Sequence, residues 1–164
     1  MAVTAPDYLP LRPGLRLEYA VKRAGDDLRL VVEHLPAGAG AALLRRTWTA
    51  GDGSAQTETA RVERRADGVY DGGVLVLPLP PLAGASWAVP PYGFRVEEGL
   101  AAVEVPAGRF TDCLRVGYLI AGGDGGSGER LYAPGVGLVR ETCSDEADPF
   151  EAALTRVTRP GEGA

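Results

Sequence analysis

This 164-residue chain has one histidine, His34, and two cysteines, Cys113 and Cys143, as candidates for nucleophilic or metal chemistry. A Ser-His-Asp triad or a Cys-His pair would have to be built on that one imidazole. Metal sites that need several imidazoles are excluded. The nearest approach to a nucleophile elbow, Gly84-Ala-Ser86-Trp-Ala, lacks the closing glycine and runs into Val89-Pro90-Pro91 rather than a helix. The enzymatic reading is therefore a hydrolase-like centre at His34 with a nearby carboxylate or thiol. The reading preferred here is a surface imidazole at the end of a strand, with no catalytic residue.

The remaining motifs are weaker. Gly123-Asp-Gly-Gly-Ser-Gly128 has the GxGxxG spacing and follows a strand. A dinucleotide site needs a helix next, so that amide groups at its start meet the pyrophosphate. Here Glu129-Arg130-Leu131-Tyr132 leads into another strand, so the loop reads as a hairpin connection. The acidic groups Glu97-Glu98 and Asp145-Glu146-Ala-Asp148 hold only part of a calcium-loop pattern. They read as solvated loops. Cys113 and Cys143 have no metal-type spacing, and two cysteines make no disulfide framework. No cofactor or metal is expected.

The aromatic residues carry the more specific expectation. Trp48, Trp87, Tyr92, Phe94, Phe110, Tyr118 and Tyr132 are spread over most of the strands. In a small filled barrel such residues form core. In a curved sheet with no helix to plug it they would line a cavity for an apolar ligand.

The elements that must position them are strands. Leu15, Leu17, Tyr19 and Val21 alternate with Arg16, Glu18, Ala20 and Lys22, the period-2 pattern of a half-buried strand. A turn at Gly25-Asp26-Asp27 and a strand from Leu28 to Leu35 complete a first hairpin. Ala42 to Thr49 follows, then an Asp52-Gly53 turn and an exposed strand over 55–65. Proline-punctuated strands occupy 74–105. The stretch from Val103 to Glu141 reads as the organising unit, strand, turn at Pro106-Ala107-Gly108, long strand, glycine loop, strand and turn, with the upstream strands sheeting against it. Phe150 to Val157 closes the sheet, with a helix as the competing reading. Residues 1–13 are an extended lead-in, held by Pro6, Pro10 and Pro13. Residues 159–164 are a frayed tail. Pro10-Leu-Arg-Pro-Gly-Leu-Arg-Leu17 and Pro81-Leu-Ala-Gly-Ala-Ser-Trp87 echo one another, as two similar openings of a strand.

About nine strands on short links must pair antiparallel and curl to bury one face. The expected fold is all-β: one domain over 1–164, a single, strongly curved antiparallel sheet forming a barrel or half-barrel, with a β-sandwich as the alternative. A net charge of −5 with both signs interspersed excludes a nucleic-acid partner, which would require a basic stripe. No run approaches the ~18 apolar residues of a membrane span. The first ten residues, MAVTAPDYLP, carry no basic and apolar leader, which suggests a cytoplasmic protein as written, or a periplasmic or lipoprotein form from which a signal peptide was removed.

Three pieces then support a family comparison: Tyr8-Leu-Pro-Leu-Arg-Pro-Gly14, Val105-Pro-Ala-Gly-Arg-Phe-Thr-Asp-Cys113 and Tyr132-Ala-Pro-Gly-Val-Gly-Leu-Val139. They resemble a group of bacterial domains that typically read YFPLxxGxxWxY, VxVPAGxFxxCxxV and YYAPGVGLVxxE. That group is similar to DUF3108-type, LolA/LppX-like curved β-sheets. Leu17 stands where the group commonly has Trp. The resemblance implies a curved sheet and frequent export, and brings no catalytic residues. The functional expectation is a non-enzymatic binding or scaffold domain, using its concave face for a protein partner or a hydrophobic ligand. A structural subunit of a larger assembly is the other alternative to the hydrolase.

Overall fold

A computed structural model describes residues 6–122, 125–145 and 149–162. Among them are thirteen strands and no helix. The first half holds β1 (Arg16–Arg23), β2 (Asp26–Pro36), β3 (Ala41–Ala50), β4 (Ala55–Arg65), β5 (Gly68–Asp71) and β6 (Val74–Pro78). The second holds β7 (Ser86–Val89), β8 (Tyr92–Val96), β9 (Ala101–Val105), β10 (Gly108–Ile120), β11 (Ser127–Ala133), β12 (Gly137–Cys143) and β13 (Phe150–Thr158). Parts of the glycine loop (123–124) and the acidic loop (146–148), and so the expectations attached to them, lie outside the described residues.

Short turns make each strand pair with its neighbour in sequence. The result is one antiparallel sheet in the order β6-β5-β4-β3-β2-β1-β13-β12-β11-β10-β8-β7, with β9 added on β10. The first and last strands pair, so the two ends of this path are β6 and β7, which are consecutive in the chain. The sheet is thus nearly closed into a barrel, and its seam falls at the link 79–85. The sandwich alternative is not adopted.

This order corrects the expectation that the upstream strands sheet against Val103–Glu141. Only β8 and β9 pair with β10 from upstream, while β1 to β6 form their own meander and join the second half through β1 and β13. The strand count was also low, because β5, β7, β8 and β9 are only 4 to 5 residues long. Phe150–Thr158 is a strand: pairing with β1 on one side and β12 on the other outweighs its helix-compatible alanines. The first turn lies one residue earlier than expected, on Ala24 and Gly25, with φ of 49° and 86°. Positive φ at both positions is what a two-residue hairpin turn needs to follow the strand twist.

The echoed segments are a real structural repeat. The Leu15 N–H donates to the Arg12 carbonyl at 3.0 Å and the Ala85 N–H to the Leu82 carbonyl at 3.0 Å. Gly14 and Gly84, both at positive φ, donate in turn to His34 and Val96 carbonyls at 2.9 and 2.8 Å. Each half of the barrel therefore opens with the same turn against its second strand.

Cross-strand partners share a face of the sheet. The outer face carries ion pairs such as Arg45–Glu33 and Arg140–Glu151, both at 3.1 Å. One end of the interior is packed shut. Leu15, Leu17, Val139 and Leu154 cluster there with Val103 and Cys113 of the β9–β10 hairpin, which is tied back by the Ala107 N–H donating to the Leu154 carbonyl at 3.0 Å. A second cluster, with Tyr8, Leu77, Val96 and Leu114, lies along the β8 and β10 side.

Candidate functional site: a cavity inside the barrel

No helix fills the barrel, and an interior space of about 480 Å³ remains. That lies within the range of about 300–1,000 Å³ usual for small-molecule pockets. Strand alternation decides what faces it. On β2 the lining residues are Leu30, Val32 and His34; on β3 they are Leu44, Arg46 and Trp48. Register stacks these into rows: Tyr19, Leu30 and Trp48 form one, Leu17, Val32 and Arg46 the next. Burial is graded along the strands. His34, Val62 and Val69 are buried, whereas Trp48 and Phe150 are half-buried and Tyr92 is exposed. The cavity therefore opens at the end where Arg23, Phe150 and Tyr92 lie, and is closed at the end of the packed cluster.

Two ion pairs interrupt this apolar wall. Arg46 Nη2 lies 2.7 Å from Asp71 Oδ2, and Arg130 Nε 3.2 Å from Glu141 Oε2. The second pair belongs to the row Val21, Ala152, Glu141, Arg130, Val116 and Val96. Tyr118, one row nearer the mouth, donates its hydroxyl to the same Glu141 oxygen at 2.8 Å. Burial and then the Glu141 charge push the Tyr118 pKa far up, so the phenol stays a donor. Gly128 makes this geometry possible. A Cβ there would sit 2.1 Å from the Tyr118 ring, so only glycine leaves the ring room to lie across β11. Arg130 lies over Phe94 at 5.0 Å and Tyr118 at 5.4 Å, which fixes the guanidinium plane.

Of the aromatics expected to line a cavity, Trp48, Tyr92 and Tyr132 do so. Trp87, Phe94 and Tyr118 stack beside it: Trp87 on Phe94 at 5.3 Å, and Phe94 against Tyr118 at 5.5 Å. Phe110 is elsewhere, packed in the cluster with the β9–β10 hairpin. Sequence reasoning did not single out Tyr19, Arg46, Asp71, Arg130 or Glu141. The signal for Arg46 was present, since Leu44, Arg46 and Trp48 are in phase on one strand.

His34 is not the surface imidazole the sequence suggested. It is 6% exposed, because it points inward beside Leu44 on β3, and its Nδ1 has no hydrogen-bond partner. No carboxylate therefore orients that nitrogen. Burial first and Arg46 second lower its pKa from 6.5 to about 4, so the ring is neutral at pH 7. The unfolded chain binds this proton below about pH 6.5 and the folded chain does not, so unfolding becomes easier as pH falls through that window. The drop from 6.5 to about 4 corresponds to roughly 3 kcal/mol of stability, fully present above pH 6.5 and gone below pH 4. Urea midpoints measured from pH 7 to 4 should fall less steeply in His34→Gln than in the wild-type chain; parallel curves would refute this assignment. Cys113 and Cys143 are both free thiols, Cys113 buried and Cys143 half-buried.

No family model matches the chain and no curated protein matches it, so the DUF3108-type group is not established by such a match. Two solved structures share the fold. One is a protein described as exported, with a YmcC-like fold, from Bacteroides fragilis NCTC 9343 (TM-score 0.66, 14% identity, 94% of this chain and 100% of that one covered). The other is a protein described as a lipoprotein from Parabacteroides distasonis ATCC 8503 (TM-score 0.62, 14% identity, 95% and 100% covered). At this identity the likeness is one of fold.

Proposed function

We propose that this chain is a non-catalytic binding domain that takes up a small hydrophobic or amphipathic molecule inside its barrel. The observation that carries the reading is the space of about 480 Å³ walled by Leu30, Val32, Leu44, Trp48 and Val62 and closed at one end. A space of that size with a largely apolar wall has the dimensions of a small-molecule site rather than of close-packed core. The lone imidazole supports the non-catalytic part, since its Nδ1 lacks the partner that orients a general base, and a pKa lowered to about 4 makes the ring a weak base.

The reading also favours the cell envelope over the cytoplasm. Its support is that the two fold neighbours are described as exported and as a lipoprotein. A carrier of apolar molecules suits that compartment.

The test is native mass spectrometry of protein purified from its own organism, followed by denaturing extraction and by titration with the uncharged fluorophore N-phenyl-1-naphthylamine. A co-purifying apolar mass, or saturable binding of one fluorophore per chain, is expected. A bare chain that also fails to bind the fluorophore would overturn the binding reading. Turnover of a nitrophenyl ester that disappears in His34→Ala would overturn the non-catalytic part.

A further inference from the structure

We infer that the cavity selects a ligand with an anionic, carboxylate-like head group, held between Arg46 and Arg130, with its apolar tail along the β2–β3 wall. This rests on the binding reading above and adds the chemistry of the head.

Arg46 and Arg130 face the inside of the barrel. Charged side chains facing the inside of a small barrel are expensive unless paired. Each here is paired, Arg46 through Nη2 with Asp71 and Arg130 through Nε with Glu141, and Arg130 also meets the Tyr132 hydroxyl. A guanidinium carries about five N–H donors in a planar fork, so these contacts leave part of each fork available. Both side chains keep about a quarter of their surface accessible, 23% for Arg46 and 25% for Arg130, and both line the cavity. The cavity thus presents guanidinium N–H groups that the carboxylate partners do not use up.

Of the two carboxylates, Glu141 is the more fully committed, whereas Asp71 accepts from Arg46 on Oδ2 and keeps 28% of its side chain accessible. Glu141 receives both the Arg130 Nε–H and the Tyr118 hydroxyl on one oxygen, and its side chain is 11% exposed. A ligand cation would find that carboxylate already occupied on its Oε2. A ligand carboxylate, by contrast, meets guanidinium edges whose planes are already set, Arg130 by Phe94 and Tyr118 and Arg46 by Asp71. Pre-set planes lower the ordering cost of a charge-assisted hydrogen bond. Arg46 also follows Leu44 and precedes Trp48 on the same inward row of β3, so a head at Arg46 has apolar wall on both sides along the strand.

The experiment compares three probes of equal chain length, each added below its micelle concentration to the full chain: dodecanoate, 1-dodecanol and dodecyltrimethylammonium. Affinity is read by displacement of N-phenyl-1-naphthylamine and checked by calorimetry. Dodecanoate is expected to bind tenfold or more tighter than the other two. Single removal of an arginine leaves a carboxylate unpaired inside the barrel, so paired replacements keep the fold testable: Arg46→Met with Asp71→Leu, and Arg130→Met with Glu141→Leu. Each double variant should melt cooperatively and lose most of the preference for dodecanoate, its affinities for dodecanoate and dodecanol coming within about threefold of one another. Equal affinity for all three probes would overturn the head-group inference and leave the cavity reading standing. A preference for dodecanoate unchanged in both double variants would overturn the assignment to these arginines. Failure of every probe would overturn the cavity reading itself.

Discussion

Glu141→Ala is expected to lower the unfolding free energy by about 3 kcal/mol, the lower end of the range for removing one partner of a buried ion pair. The substitution strands two donors at once, the Arg130 Nε–H and the Tyr118 hydroxyl. The lower end applies because Arg130 keeps 25% of its side-chain surface accessible, so water in the cavity can hydrate part of the orphaned charge. For a domain of this size the loss corresponds to a fall in Tm of roughly 6–12 °C. Arg130→Met should cost more than Glu141→Ala, because the carboxylate it strands is the more deeply buried partner, 11% exposed. The double variant Arg130→Met, Glu141→Leu should recover the part of the loss that comes from the unpaired charge, while the Tyr118 hydroxyl still lacks its acceptor. Thermal melts of the four proteins give the comparison, and a fifth, Glu141→Leu alone, closes the cycle. A cost below about 1 kcal/mol for Glu141→Ala, the value of a surface pair, would show that the interior is hydrated at this row.

The same row explains what could and could not be read from the residues in sequence. Alternation sufficed for the hairpins: Leu17, Tyr19 and Val21 against Arg16, Glu18 and Lys22 announce a strand with one buried face, and the structure pairs it on both sides. The paired glycine turns at Gly14 and Gly84 were visible as an echo because a positive φ leaves a mark in residue type. The closure through β1 and β13 was not visible. Nothing in either strand specifies a partner some 140 residues away, and only the geometry of a twelve-strand path selects it. The aromatics were legible as residues of buried faces but not as site against core: Phe110 and Trp48 look alike in sequence and pack against the same cluster, yet only Trp48 lines the cavity. The interior charges were hidden for a different reason. On β11 Arg130 alternates with Leu131 in the opposite sense to the usual pattern, charge inward and leucine outward, so a rule that sends arginine to solvent misplaces it. The outward Leu131 is nonetheless buried, in the cluster that contains Val103 and Cys113 of the β9–β10 hairpin. A period-2 pattern thus locates a strand reliably, and it labels the two faces only where one of them meets water.

Filling the cavity should separate binding from folding more cleanly than any truncation. Val32→Phe combined with Leu44→Phe places two rings into the interior space from adjacent inward rows of β2 and β3. Overpacking normally costs about 1–3 kcal/mol because a dense core has no room. Here the added atoms enter an open volume of about 480 Å³, so they gain contacts instead of displacing neighbours. Phenylalanine also keeps the strand preference of the residues it replaces. The expected result is a Tm equal to or above that of the wild type, together with a loss of N-phenyl-1-naphthylamine affinity of tenfold or more. Both substitutions lie away from the Arg130–Glu141 row, so the ion pair that steadies the opposite wall is left in place. A stable variant that binds the fluorophore as well as the wild type would move the site out of the barrel and onto the outer surface. A variant that loses stability and affinity together would show that the space closes in solution, and that the interior of this barrel is a core rather than a container.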